Sequence, residues 1–289
     1  MTLLGLLVYR LRTCLIVILV WLALTVAFAE EPKSLIRGWI FSTENRETSS
    51  QQEKILRVVS LNCAGGNLKA AEEVMRYEPD IVLLQEAPAR ENVELLANKL
   101  FDGNSTVVWN IDTAIIVRGR AEQTAVPRPA GTFMTQAHVW LASGIEIYVI
   151  SVRLIPPEIS VNLLSPACWK KHKKDRQLRR SQVTQIAAQL DLVPKDVPVI
   201  VGGDFNTTAG DGAIRILGPR LHDSFREGGV GWGHTALNSI PLFRVDQIWV
   251  SEHFKAVAVF SNKTENSDHR MVISDLKPAP QIITDSPAK

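Results

Sequence analysis

The sequence predicts a mixed α/β domain, and the balance of its elements suggests a four-layer α/β sandwich of two packed mixed sheets flanked by helices. Two observations point there. Short β-branched apolar runs recur along the chain, and only a few helical stripes separate them. Strand spacing alone supports only the broader class, mixed α/β. A third observation bounds the size. The chain has 289 residues, 46% hydrophobic and 21% charged, which suits one globular domain with appendages and a sizeable core.

The first element is not part of that domain. Arg10 and Arg12 precede an apolar run from Cys14 to Leu24, and Thr25-Val26-Ala27-Phe28-Ala29 leads into Glu30-Glu31. A basic start, a short apolar stretch and an Ala-x-Ala ending make residues 1–29 a signal peptide or an N-terminal membrane anchor, with cleavage after Ala29 favoured. The anchor alternative uses residues 13–29, near the lower length limit for a span. Both readings place the remainder outside the cytoplasm, either secreted or periplasmic after cleavage or anchored in the cell membrane. Residues 30–54 are polar and unpatterned and read as a linker. The folded domain is expected over 55–276, and the Pro-containing tail 277–289 is expected to be disordered. Of the cysteines Cys14, Cys63 and Cys168, the last two would remain after cleavage. An oxidising compartment permits their pairing, although two separate thiols is the simpler expectation.

Within the domain, strands are expected over 55–61, 80–85, 112–117, 135–141, 145–152, 197–201, 245–250 and 254–260. Asn67 can cap a helix presenting Leu68, Ala71, Val74 and Met75 on one face. Val183, Ile186, Ala187 and Leu190 form the i, i+3, i+4, i+7 stripe of a second helix, from about 175 to 190.

Polar residues stand where these strands end. Asn62 follows Val58-Val59-Ser60-Leu61, and Glu86 follows Ile81-Val82-Leu83-Leu84-Gln85. Asp204 and Asn206 follow Val199-Ile200-Val201-Gly202-Gly203, Asp246 begins a strand, and Ser267-Asp268-His269 precedes Met271-Val272-Ile273. Polar groups at strand ends can converge above a sheet on a rigid scaffold. Asn62, Glu86 and Asp268 are hard oxygen ligands suited to Mg²⁺ or Mn²⁺. Asp204 beside Asn206 can orient and deprotonate a water. His269 can pair with a carboxylate such as Asp246, which fixes its tautomer and favours its charged form. Together these are what in-line attack on a phosphodiester requires. Singly, each has an ordinary explanation: Gly-Asp-x-Asn is a common turn, Ser-Asp-His a common loop or cap, Asn62 an Asx turn and Glu86 a solvated strand end.

Order and company give these motifs weight. Ser60-Leu61-Asn62, Asp80 to Glu86, Gly203-Asp204-Phe205-Asn206-Thr207, Arg244-Val245-Asp246-Gln247-Ile248-Trp249-Val250-Ser251 and Ser267-Asp268-His269 occur in sequence. In this the chain resembles the endonuclease/exonuclease/phosphatase superfamily, with a DNase I-like fold, over residues 55–276. The likeness is closest to bacterial membrane-associated members of the YafD-like type, through Arg180-Ser181-Gln182 and Gly231-Trp232-Gly233-His234-Thr235 before Pro241-Leu242-Phe243-Arg244. The resemblance implies a metal-dependent phosphoric-ester hydrolase using Mg²⁺ (or Mn²⁺). It implies Asn62, Glu86 and Asp268 as metal ligands and Asp204, Asn206, Asp246 and His269 as catalytic residues. Arg153, Arg180 and His234 are implied as substrate-binding. The implied partner is a phosphodiester, nucleic acid or lipid head group, with membrane contact through the N-terminal segment and a monomeric state.

One departure stands out. Nuclease-type members often carry His-Leu after the strand ending near Val152, whereas this chain has Arg153-Leu154. Arginine stays protonated, so it cannot act as general acid, but it can bind a phosphate oxygen. That weakens a two-histidine nuclease mechanism. It also keeps open a phospholipid or small-phosphoester substrate, and a catalytically inactive phosphate-binding module.

Net charge is only +2, so any attraction for a polyanion must be local. Seven Lys and Arg residues and one acid fall between 170 and 180, beside Trp169. Cations at a helix start oppose the dipole. The run is therefore either a solvated segment or a surface for nucleic acid or anionic lipid.

Overall fold

Side chains alternate between the two faces of a strand, so near-continuous apolar runs give each sheet two apolar faces, and both must be covered. The structure is a computed structural model that describes residues 3–28, 30–44, 55–157 and 165–279. Its elements run α1 (Leu3–Phe28), α2 (Glu30–Glu44), β1 (Leu56–Asn62), α3 (Leu68–Glu72), β2 (Ile81–Gln85), α4 (Arg90–Phe101), β3 (Ser105–Trp109) and β4 (Thr113–Gln123). They continue as β5 (Met134–Leu141), β6 (Glu146–Arg153), α5 (Pro166–Leu190), β7 (Val199–Asp204), β8 (His222–Asp223), α6 (Ser224–Gly228), β9 (Asp246–Val250), β10 (Phe254–Asn262) and β11 (Met271–Pro278).

The strands form one hydrogen-bonded sheet in the order β10-β11-β1-β2-β4-β5-β6-β7-β9-β8, with β3 alongside β4. The expected two sheets are its two halves. β4 belongs to both, pairing through Thr113–Val117 with β2 and through Gly119–Gln123 with β5. The turn-over point is Gly119, at φ +138, where a Cβ would lie 2.3 Å from the Trp140 carbonyl oxygen, so only glycine fits. Val58, Ile81, Leu83 and Ile115 of one half then face Ile147, Val149, Ile200 and Ile248 of the other. Each such side chain contributes about 1.5–3 kcal/mol by leaving water. Val93 and Leu96 of α4 cover one outer face, and Val183, Ile186 and Leu190 of α5 cover the other. The result is four layers.

Two strand pairs are parallel, β1 with β2 and β6 with β7. Parallel neighbours need a crossover, supplied by the α3 segment in one half and α5 in the other. Their registers pair Asn62 with Gln85 and Arg153 with Asp204, so both crossovers deliver polar residues to the carboxyl ends of parallel strands.

Several expectations change. Residues 30–44 are helical rather than linker. Arg37 donates to the carbonyls of Phe225, Arg226 and Glu227, and Gly231 N–H donates to the Ser34 carbonyl at 2.9 Å. These are polar and backbone contacts, which leave no apolar stripe to read. Residues 45–54 lie outside the described residues, as do Ala29 with its cleavage reading and residues 280–289 of the tail. β11 carries the domain to Pro278, past the expected boundary. Helix α5 begins at Pro166, not near 175, because Asp175 and Arg179 occupy its buried stripe where apolar residues were sought. The basic run is helical, with its four lysines, Arg176 and Arg180 exposed and Arg179 buried. Asn67 caps α3 as expected, accepting from Lys69 N–H, but α3 is only one turn before a 3₁₀ segment. No disulfide joins the cysteines. The side chains of α1 over residues 10–24 are exposed. Among the described residues no helix is long and apolar enough to cross a membrane.

Candidate active site

The site sits where β1, β2, β6 and β7 end and β9 begins. Two of its residues adopt left-handed backbone, Glu86 at φ +44 and Asn206 at φ +48. Such conformations cost non-glycine residues about 1–2 kcal/mol and gather at functional sites. Gly203, at φ +144, lets β7 approach β6: a Cβ there would lie 2.0 Å from the Val152 carbonyl oxygen.

Asn62 joins the two halves of the sheet. Its Nδ2 donates to Glu86 Oε1 at 3.2 Å and to Asp204 Oδ2 at 3.1 Å, while its Oδ1 accepts from Ala64 N–H. Asp204 is buried and accepts two further hydrogen bonds from its own turn, Asn206 N–H on Oδ1 and Asn206 Nδ2 on Oδ2, both at 2.9 Å. Asn206 Nδ2 also donates to the Leu154 carbonyl at 2.8 Å. Burial, then the charge of Asp246, push the Asp204 carboxyl up to about 7, although His269, Asn206 and Asn62 pull the other way. A carboxylate raised towards neutrality is suited to accept a proton from water.

Asp246 lies opposite Asp204 in the β7–β9 register. Its Oδ2 is 2.8 Å from His269 Nδ1, its N–H donates to Thr235 Oγ1 at 3.0 Å, and its buried Oδ1 has no partner. Burial alone would lower the His269 pKa. The charge and hydrogen bond of Asp246 outweigh it, Asp204 and Asp268 add to them, and the imidazole is pushed up to about 10. His269 is thus an imidazolium at neutral pH, a proton donor on both nitrogens.

Glu86 has a different environment. Arg153 NH2 donates to its Oε1 at 2.7 Å, and Gly65 N–H donates to its Oε2. Burial opposes ionisation, but Arg153, Asn62 and Gly65 together hold the carboxyl below its ordinary value. Arg153 also donates through NH1 to both oxygens of Asp112, at 3.2 and 3.1 Å. Its guanidinium therefore bridges two acids at the site's edge.

The structure thus gathers Asn62, Glu86, Arg153, Asp204, Asn206, Asp246 and His269. Asp268 is exposed, its carbonyl accepting from Asn238 N–H at 2.7 Å, and it lines a cavity of about 950 Å³. Arg180 lies on α5, beside Asp211, Gly212 and Ala213. His234 Nε2 is 3.3 Å from Glu31 in a separate cavity of about 720 Å³. Neither makes a hydrogen bond to the Asp204 cluster among the described residues. Sequence reasoning missed Asp112 and Thr235. Asp112 had a signal: the antiparallel register of Gln85 with Thr113 sets it beside Glu86.

Two groupings could hold a divalent cation. Asp204, Asp246 and His269 offer ligand atoms within 4.8 Å of one another. A protonated imidazole is no ligand, which leaves the two carboxylates, and the unpartnered Asp246 Oδ1 is an acceptor awaiting a cation or donor. Glu86 with Asn62 is the other grouping: the Glu86 side chain is 24% exposed and its carboxyl is held ionised, the buried Asn62 amide lies against it, and a carboxylate and an amide carbonyl are the hard oxygens that Mg²⁺ prefers. The residues present fit such an ion.

The sequence profile described as "Endonuclease/Exonuclease/phosphatase family" matches residues 59–269. No curated protein matches the sequence closely enough to count as a relative. Among solved structures, an endonuclease/exonuclease/phosphatase family protein from Bacteroides thetaiotaomicron superposes with a TM-score of 0.60 at 15% identity, covering 78% of this chain and 98% of that one. A mannosyl-6-phosphatase from the same organism gives 0.60 at 15%, covering 76% and 99%. The catalytic domain of human Nocturnin, with bound sulfate, gives 0.57 at 15%, covering 80% and 97%. At these identities the likeness is one of fold.

Proposed function

The chain belongs to the endonuclease/exonuclease/phosphatase family, a family of phosphoester hydrolases, and from that membership we propose that it is a divalent-metal-dependent phosphodiesterase acting by in-line attack of water. The observation that carries this reading is the buried pair of Asp204 and Asp246 with a charged His269 bonded to Asp246 and within 4.8 Å of both. Asp204, held by the Asn62 and Asn206 amides, takes the proton of the attacking water. Asn206 positions that water or a phosphate oxygen. His269, oriented by Asp246, delivers a proton to the departing oxygen. Arg153 neutralises a non-bridging phosphate oxygen, since a guanidinium binds such oxygens well and cannot shuttle protons. Mg²⁺, with Mn²⁺ as a substitute, would be held by Glu86 and Asn62 with Asp268 nearby, and supplies charge neutralisation for the phosphate.

We place the chain outside the cytoplasm, as a membrane-associated bacterial member of the YafD-like type working as a monomer. Arg180 and His234, which line cavities separate from the Asp204 cluster, are assigned to more distant parts of a substrate. The site alone fits a nucleic-acid diester and a lipid head group equally, and the features around it favour the second.

The test is a substrate panel. The purified full chain is incubated with DNA, RNA, phospholipid vesicles and bis(p-nitrophenyl) phosphate, with Mg²⁺ or Mn²⁺ and then with EDTA. Hydrolysis of at least one diester, lost in EDTA and restored by metal, is expected. A panel left untouched would make this a phosphate-binding module instead.

A further inference from the structure

The loop joining His234 to Arg244 exposes what a water-facing loop ordinarily hides. Leu237, Ile240, Leu242 and Phe243 are 57%, 71%, 53% and 54% exposed. Single exposed apolar residues are ordinary, but a contiguous set marks a protein or membrane contact.

The loop is not slack. Thr235 and Ala236 N–H donate to the Phe243 carbonyl at 2.9 and 3.0 Å, and Asn238 N–H donates to the Asp268 carbonyl at 2.7 Å. The buried Asn238 side chain donates to the carbonyls of Thr264 and Ser267, at 2.7 and 2.9 Å. Trp232 Nε1 donates to the Pro241 carbonyl at 3.1 Å. Leu237 holds left-handed backbone at φ +64, a cost of about 1–2 kcal/mol for a leucine. Backbone polar groups are thus satisfied within a built loop while its apolar side chains point outward.

That loop is rooted in the catalytic residues. Thr235 Oγ1 accepts from Asp246 N–H, and Ala236 bridges to His269. The cavity of about 950 Å³ beside it is lined by Leu237, Ile240, Lys263 and Asp268, so it runs from exposed apolar tips to the neighbour of His269.

A second apolar surface starts from the same place. Glu31 shares the cavity of about 720 Å³ with His234, Leu242 and Phe243. Helix α1 ends at Phe28, three residues earlier, hence within roughly 10 Å of chain. Along α1 the side chains of Leu15, Ile16, Ile18 and Leu22 are exposed. Arg215 and Arg226, both exposed, line that cavity too. Leu242 and Phe243 thus share a cavity with exposed arginines, together with Glu31 and Asp223, and exposed apolar side chains beside cations suit an anionic bilayer, which accepts both.

We propose that loop 237–243 is a membrane-docking platform that turns the active site towards the lipid surface, and that the substrate is an amphiphilic phosphodiester of the phospholipid class. The substrate half of this rests on the phosphodiesterase reading; the docking half stands on the loop and α1. In the reaction the water oxygen bonds to phosphorus, one ester P–O bond breaks, and the released alcohol oxygen takes the proton, leaving a phosphomonoester.

The test uses the full chain with Cys14→Ser, since Cys63 and Cys168 are buried. An environment-sensitive dye is placed at Ile240→Cys, or at Leu192→Cys before β7, which is 75% exposed and lies at the opposite end of that strand. Vesicles of phosphatidylcholine and phosphatidylglycerol should shift the dye at 240 to the blue and brominated lipid should quench it, with neither effect at 192. Turnover of vesicle phospholipid relative to bis(p-nitrophenyl) phosphate should fall at least tenfold in Ile240→Asp/Phe243→Asp. The proposal is overturned by equal responses at 240 and 192, by an unchanged ratio, by a dye shift that needs only more protein (a second copy covering the loop), or by hydrolysis of nucleic acid alone. If the dye inserts but no diester is cleaved, the phosphodiesterase reading falls while docking stands.

Discussion

Replacing Asp246 by Asn isolates what its charge does for His269. Asp246 is 1% exposed, and the contact of 2.8 Å to Nδ1 survives in outline because asparagine keeps the shape. The imidazole rises from 6.5 to about 10 against the opposing effect of burial, with Asp246 the main cause of the rise. That rise corresponds to roughly 5 kcal/mol favouring the charged form. With the charge removed, burial, the largest single cause, lowers the pKa, against the smaller individual effects of Asp204 and Asp268. The variant should therefore titrate at or below the ordinary value of about 6.5. At pH 8 only about 3% of His269 would then be protonated, so a step needing the imidazolium slows at least ~30-fold from protonation alone. NMR titration of the His269 ring in EDTA measures the first quantity, and turnover at pH 8 the second. The sign has a stability consequence as well. Because the folded pKa is raised, the pair's stabilisation is complete below about pH 6.5 and is lost as pH climbs through about 10. The difference in unfolding free energy between wild type and variant should shrink over that window. A ring that still titrates above pH 9 in the variant, or turnover at pH 8 within threefold of wild type, would refute this reasoning.

Two further substitutions probe the scaffold and the base. Asp204→Ala should lower kcat by about 10³-fold or more with unchanged far-UV circular dichroism, since it removes the proton acceptor while Asn62 and Asn206 keep other partners; turnover within tenfold of wild type would remove Asp204 from that role. Gly203→Ala should cost about 2–5 kcal/mol in denaturant unfolding, from strain at positive φ and the clash with Val152; a loss below about 1 kcal/mol would mean that β6 and β7 can part at that point.

The strands and the chain order of the polar groups were legible because they are local. Apolar runs at strand length set most of the sheet, and Asn67 as a cap was visible from residue type alone. So were the residues that stand at strand ends. What escaped was everything held by non-local polar contact. Helix α2 docks through Arg37 and backbone groups, so its sequence looks like linker. The N-terminal half of α5 buries Asp175 and Arg179 with Cys168, so no apolar stripe announces it. β3 and α4 carry usable patterns, yet their partners decide which of those patterns count.

By itself, the sequence determined the mixed α/β class, the limits of most strands, and the pool of acids, amides and histidine from which a hydrolytic site can be drawn. Tertiary structure decided how that pool is divided. It made one sheet of two halves by turning at Gly119, and so set Asn62 of one half against Asp204 of the other. It made Arg153 the partner of Glu86 and Asp112, left Asp268 at the rim, and held four apolar side chains of loop 237–243 out in solvent. The physical reason is common to all of these. Burial and charge fix a pKa, a partner or an exposed face only after residues distant in sequence have met.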